Sequence, residues 1–230
     1  FVTSFGSVQE KPFLLFVVMD DSGNTGWGES TAFHAPWYNE ETFQTNLHII
    51  KDFLIPLLLN KDINHPDEVS AIFSPIRKNN MAKAAIEGAV WDLYAKRNSL
   101  PLSEALGGTF TNIEVGVSIG LQKSSDELIS VVKNYVQEGY KRIKVKIKPG
   151  SDISLISALR ETFPELPLMA DANSAYTLDD IEIFRQLDQY DLLMIEQPLG
   201  YDDIVDHSKL QREIKTPICL DESILSLEDV

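Results

Sequence analysis

The sequence predicts an α/β protein: an α+β domain over residues 1–110, then the first five strands of a (β/α) barrel over residues 111–230. Three observations carry that prediction. From Thr111 onward, short apolar runs alternate with helical segments, the pattern of parallel strands covered by helices. Each of four runs delivers ionisable residues near its C-terminal end: RIKVKIKPG carries Lys144 and Lys146, LPLMADAN Asp171, LLMIEQPL Glu196 and TPICLDES Asp221. Lys146, Asp171, Glu196 and Asp221 follow one another at intervals of 25 residues. That is about the length of one strand, loop, helix and return turn in a barrel of roughly 250 residues and eight units.

The first region opens with β-forming residues. Pro12–Asp20 reads as a strand, DDSGN as a turn and TGWGEST as the returning strand of a hairpin. FHAPWYNE is a loop whose aromatics either pack or cover a ligand. Glu40 to Leu59 reads as one helix, with Phe43, Leu47, Ile50 and Leu54 at helical spacing and Asn39 as its cap. NHPDEVSAIFSPI contains a short helix. NNMAKAAIEGAVWDLYAKRN is the clearest helix; Ala85, Val90, Leu93 and Tyr94 face a core, and its alanines permit close packing. SLPLSEALGG ends the region on a Gly-Gly stop.

The second region then runs strand to helix. IEVGVSIGL, RIKVKI, LPLMADA, LLMIEQP and PICLDE are strands. Ser125–Glu138, SLISALRETF, TLDDIEIFRQLDQ and a short segment around Asp202–Glu213 are the helices between them. Five units do not close a barrel of eight. The chain also starts on Phe1 without Met, so residues are expected before it as well as after Val230. An open doubly wound sheet is the alternative, but no Gly-rich phosphate loop follows the first strand.

Composition bounds the function. The hydrophobic fraction is 43%, enough for a core, and no apolar run approaches the length of about 18 residues needed to span a membrane. The formal net charge of −15 opposes nucleic-acid backbones and anionic membranes. Neither partner is expected. Cys219 is the single cysteine, so no internal disulfide forms, and a reducing cytoplasm is the expected location. It lies between Ile218 and Leu220 and reads as core. His34, His48, His65 and His207 share no ligand spacing.

Asp171, Glu196 and Asp221 are hard oxygen donors, which suit Mg²⁺ better than Zn²⁺, with Mn²⁺ as a substitute. One strand-end acid is usually a helix cap. Three at matched strand ends would repel one another unless a cation sat between them. Lys144 and Lys146 alternate by two and share a face, with Ile143, Val145 and Ile147 on the other. A neighbouring ammonium and a divalent cation would lower a lysine's pKa and let it act as a base. Such a base can take the proton α to a metal-bound carboxylate, leaving an enediolate whose charge the metal neutralises.

These motifs resemble the enolase superfamily, in its muconate-lactonising subgroup. GWGE and AAIEGAVWDLYAK…LPLSEALGG resemble its α+β capping domain. KVKIKPG, MADAN, IEQPL and CLDES resemble its modified TIM barrel. The likeness covers nearly the whole chain and is greatest to o-succinylbenzoate synthases and N-succinylamino acid racemases, notably at RIKVKIKPG, DANSAYTL and TPICLDESI. It implies Asp171, Glu196 and Asp221 as metal ligands, Lys146 as the acid–base lysine and Lys144 as its companion. It places Asn173 beside the metal and Ser118 toward substrate, and it gives Phe1, Phe5, Trp37 and Tyr38 a role in specificity or packing. The implied reaction is Mg²⁺-dependent dehydration of a small cyclohexadiene carboxylate to o-succinylbenzoate, in menaquinone synthesis. Racemisation of N-acylamino acids, or a non-catalytic member of the fold, is the alternative. A homo-oligomer is the expected assembly. The family's second catalytic lysine would fall past Val230, so these 230 residues alone are expected to be inactive or unfolded.

Overall fold

The computed structural model describes residues 9–230 in full, together with the backbone of residues 2–3 and 6–7. Two compact units result. One is Glu10–Thr111. The other runs from Asn112 to Val230 and takes in an antiparallel pair, β1 (Val2–Thr3) and β2 (Gly6–Ser7).

In the Glu10–Thr111 unit, β3 (Leu14–Met19) and β4 (Thr25–Ser30) form the expected hairpin, with Val17 opposite Trp27. Asp20 fixes its turn by accepting the Ser22 and Asn24 N–H groups at 3.0 and 2.8 Å. The long helix is divided. α1 (Phe43–Ile49) passes through a wide π turn at Ile50–Leu54 into α2 (Ile55–Leu58). Pro56 has no N–H to return to the preceding turn, and a widened turn is where that loss is tolerated. The cap is Thr42 rather than Asn39: its hydroxyl accepts from Thr45, whose own hydroxyl accepts the Thr42 N–H. Asn39 instead accepts the N–H of Glu41. α3 (Glu68–Phe73), α4 (Asn80–Arg97) and α5 (Leu102–Ala105) complete the unit. Buried Glu41 accepts the Met81 and Ala82 N–H groups at 2.8 and 3.0 Å, supplying negative charge at the start of α4.

The buried alanines of α4 meet the glycines of β4. A Cβ on Gly26 would lie 2.0 Å from the carbonyl oxygen of Ala89, and one on Gly28 would lie 2.1 Å from that of Ala85. GWGE is therefore a packing motif, in which each glycine admits the helix backbone.

The second unit holds one sheet of parallel strands in sequential order. These are β5 (Gly116–Ile119), β6 (Arg142–Lys146), β7 (Leu168–Asp171), β8 (Met194–Glu196) and β9 (Ile218–Cys219). α6 (Ser125–Gln137), α7 (Asp152–Thr162), α8 (Ile181–Leu187) and α9 (Ile204–Glu213) fall between successive strands. A doubly wound sheet would reverse its order; this one steps in one direction, as a barrel does. The α/β fold class stands, with β9 shorter than the apolar run PICLDE.

Side-chain alternation splits the sheet into two faces. Ile143, Val145, Ile147, Ala170 and Ile195 are at most 1% exposed and pack with Leu128, Val132, Ile156, Leu159 and Phe184 from the helices. The opposite face carries the charged residues. Among the described residues, no helix is long and apolar enough to cross a membrane.

Gly28→Ala must push α4 off the hairpin. A loss of about 3 kcal/mol in urea unfolding is expected, the upper end of ordinary overpacking costs; unchanged stability would contradict the packing role.

Candidate active site

Parallel pairing places the ionisable residues side by side. Lys146 is in register with Asp171, Asp171 with Glu196, and Glu196 with Cys219. Two residues earlier on the same face, Ser118 is in register with Lys144, Lys144 with Met169, and Met169 with Met194. The lysines therefore lie beside the acids because of strand register, not because of a flexible loop.

The contacts are direct. Lys146 Nζ donates to Asp171 Oδ2 at 2.6 Å. Lys144 Nζ donates to Glu196 Oε1 at 2.6 Å and lies 3.2 Å from the same Asp171 oxygen. Asp171, Glu196 and Lys146 are 1%, 6% and 8% exposed. Asp171 Oδ1 accepts the N–H of Asn173 at 3.1 Å, and the Asn173 amide donates to Glu222 Oε1 at 3.0 Å. Asn173 and Ser174 both have left-handed backbone, at φ +43° and +61°, which turns the chain sharply after β7. Tyr176 donates its hydroxyl proton to Asp152 Oδ2 at 2.8 Å, tying that turn to the start of α7.

Comparison with known proteins identifies the family. Residues 1–107 match the family model for the mandelate racemase/muconate lactonizing enzyme N-terminal domain, and residues 127–230 match that for the enolase C-terminal domain-like fold. The chain belongs to the enolase superfamily. It is 59% identical over 229 residues to an o-succinylbenzoate synthase from Geobacillus kaustophilus, covering 100% of this chain and 61% of that protein. It is 46% identical to an N-succinylamino acid racemase from Thermus thermophilus, covering 99% of this chain and 62% of that one. A solved enolase-superfamily structure from Listeria innocua superposes with a TM-score of 0.96 at 48% identity, over 100% of this chain and 62% of that one. The chain thus spans about three-fifths of the length of these relatives.

For this enolase-superfamily member, Lys144, Lys146, Asp171, Glu196 and Asn173 gather at the C-terminal ends of β6, β7 and β8. Asp221 follows β9 and is exposed, its N–H donating to Gln197 Oε1 at 3.0 Å. Among the described residues, no three Asp, Glu, His or Cys side chains close into a metal-coordinating group. The lysine ammoniums instead reach between the acids. The donor set still fits a hard divalent cation: Asp171 and Glu196 already converge on one positive charge, that of Lys144.

Ser118 is exposed on the face that bears Lys144. Tyr38 packs edge-on against Phe33 within the Glu10–Thr111 unit, and Trp37 is exposed there. Phe1 and Phe5 lie outside the described residues. Cys219 is corrected from core to the charged face: register aligns it with Glu196, and it is half-buried. Glu222 takes the Asn173 amide rather than a lysine, and its Oε2 has no hydrogen-bond partner among the described residues. His207 is structural: its Nε2 accepts the Leu199 N–H, and its Nδ1 meets the Asp203 carbonyl. Sequence reasoning passed over Gln197, although a glutamine between a strand-end acid and Pro198 is an unusual polar residue in an apolar run.

Electrostatics reflect this crowding. Burial pushes the Glu196 carboxyl up, the Lys144 hydrogen bond opposes it, and the charge of Asp171 adds to the rise, so the net shift is upward. Burial also raises Glu222 and Cys219. Lys144 itself is shifted upward. Burial pulls that ammonium down, but the Glu196 hydrogen bond and the charges of Asp171 and Glu196 outweigh it, so it stands above its ordinary 10.5.

Because the folded-state value is raised, the stabilisation from Lys144 is complete below about pH 10.5 and is lost as pH climbs through the folded value. Lys144→Met should cost about 2 kcal/mol at pH 8, between the cost of an exposed pair and that of a buried one. Denaturant titrations at successive pH values should show the gap from wild type narrowing above about pH 10.5. A gap independent of pH would contradict the pairing.

Proposed function

We propose that the protein is a lyase that forms o-succinylbenzoate by dehydrating a cyclohexadiene carboxylate, in the cytoplasm and in menaquinone synthesis. The observation that carries this reading is the shared rung of Lys146, Asp171 and Glu196, with Lys144 bridging the two acids. Its support from relatives is the 59% identity to the Geobacillus kaustophilus o-succinylbenzoate synthase.

In this reading Asp171, Glu196 and Asp221 hold a divalent cation, Mg²⁺ or Mn²⁺, which when bound offsets the negative charge gained by the substrate carboxylate as its α-proton leaves. Lys146 is the base. Its bond to Asp171 fixes Nζ at the strand end, and its four-carbon stem lets Nζ swing toward the α-carbon once that bond is released. Released from Asp171 as the neutral amine, Lys146 takes the α-proton to become the ammonium, the C–O bond on the adjacent carbon breaks, and the ammonium returns the proton to the departing hydroxide as water. The ring gains its last double bond and becomes aromatic. Lys144, held by Glu196, keeps a second positive charge beside the developing anion. Asn173 braces Asp171.

Racemisation of N-succinylamino acids is the second reading. It is favoured by the 46% identity to the Thermus thermophilus racemase, and it begins with the same proton abstraction.

The test is to assay the protein at its full natural length on both substrates. Lys146→Ala should lower kcat for o-succinylbenzoate formation by about 10²–10⁴-fold, the usual contribution of a positioned acid–base group. Chelation of divalent cations should abolish turnover, and Mg²⁺ should restore it. Full activity in Lys146→Ala would overturn the assignment of the base. Turnover of N-succinylamino acids alone would select the second reading.

A further inference from the structure

We infer that Gln197 is a positioning residue that sets the place of Asp221 at the site. Gln197 directly follows Glu196 and is 0% exposed. Its backbone is left-handed, at φ +39°, a conformation that a non-glycine residue keeps only where its surroundings hold it. Those surroundings are the neighbouring strand ends. The Gln197 N–H donates to the carbonyl of Cys219 at 2.8 Å, and its own carbonyl accepts the N–H of Ser174 at 2.8 Å.

The side chain goes further. Its Oε1 accepts two peptide N–H groups, from Asp221 at 3.0 Å and Ser223 at 3.2 Å. Its Nε2 donates to the Ser223 hydroxyl at 2.7 Å and to the Leu199 carbonyl at 3.4 Å. A primary amide has two acceptor sites and two donor hydrogens, and all four are engaged. β9 ends at Cys219, so no strand ladder reaches Asp221. Gln197 supplies the hydrogen bond that a longer ladder would have made. It fixes the backbone of the third acid from the residue next to the second. An apolar residue would leave the buried Ser223 N–H and the part-buried Asp221 N–H without that acceptor.

This role rests on the cation site proposed above, and the two fail differently. Mn²⁺ binding is measured by calorimetric titration, with the electron paramagnetic resonance spectrum of the bound ion at saturation, for the wild type and the Gln197→Leu, Gln197→Glu, Ser223→Ala and Asp221→Asn variants. Thermal denaturation identifies the temperatures at which each is folded. Gln197→Leu should bind Mn²⁺ about 10–100-fold more weakly and give an altered spectrum, the scale on which partners behind metal ligands act. Gln197→Glu retains acceptors for both peptide N–H groups and should bind within about threefold of wild type. Ser223→Ala removes a contact in the same cluster without freeing Asp221 and should also stay within about threefold. Wild-type affinity in folded Gln197→Leu overturns the positioning role and leaves the cation site standing. Loss of binding in Gln197→Glu or Ser223→Ala as large as in Asp221→Asn also overturns it. Absence of Mn²⁺ binding by the wild type, or unchanged binding in Asp221→Asn, overturns the cation site itself. Should Gln197→Leu not fold, Gln197→Met, which also lacks an amide acceptor, takes its place, with the same weakening of about 10–100-fold expected and wild-type affinity overturning the role.

Discussion

Strand register is the constraint from which the site follows. Once β6, β7 and β8 pair in parallel, Lys146, Asp171 and Glu196 occupy one rung and point the same way. A slip of one residue in any strand would send its charge into the apolar layer, where Ile143, Val145 and Ile147 lie under the helices. The burial of that layer and the assembly of the site are thus one event. The helices do not touch the chemistry, yet they choose the register that makes it.

Two carboxylates on adjacent strands, nearly out of solvent, are unstable company without positive charge. Lys144 and Lys146 provide it, one bridging Asp171 and Glu196 and the other held on Asp171. The raised carboxyl of Glu196 records what remains uncompensated. Behind this layer lie neutral clamps: Gln197 on the turn after β9, Asn173 between Asp171 and Glu222, and Tyr176 on Asp152. Left-handed residues follow within three positions of Asp171 (Asn173 and Ser174) and directly after Glu196 (Gln197), so the chain bends away soon after these two carboxylates are delivered.

Much of this was legible in the residues. The interval between Lys146, Asp171, Glu196 and Asp221 gave the unit length, and the K-x-K alternation gave the face. Both signals survive because strand periodicity is strict. Other features depend on contacts between distant segments. GWGE read as a strand motif, but its glycines serve the helix at Ala85 and Ala89, a partner that local pattern cannot name. Cys219 read as core because its neighbours are apolar, whereas the register of β9 on β8 turns it toward the charges. The helix from Glu40 began at Thr42 and widened before Pro56, since side-chain capping and a missing N–H outweigh apolar spacing.

The proposed reaction requires Asp171, Glu196 and Asp221 to share one divalent ion beside Lys146. A crystal structure of the protein grown with Mn²⁺, with anomalous scattering recorded at the manganese edge, addresses that claim most directly. The expected result is a single strong anomalous peak at the strand ends, coordinated by oxygens of all three carboxylates, with Lys144 Nζ displaced from Asp171. A peak elsewhere, or the three acids remaining apart with both lysines still paired to Asp171, would contradict it.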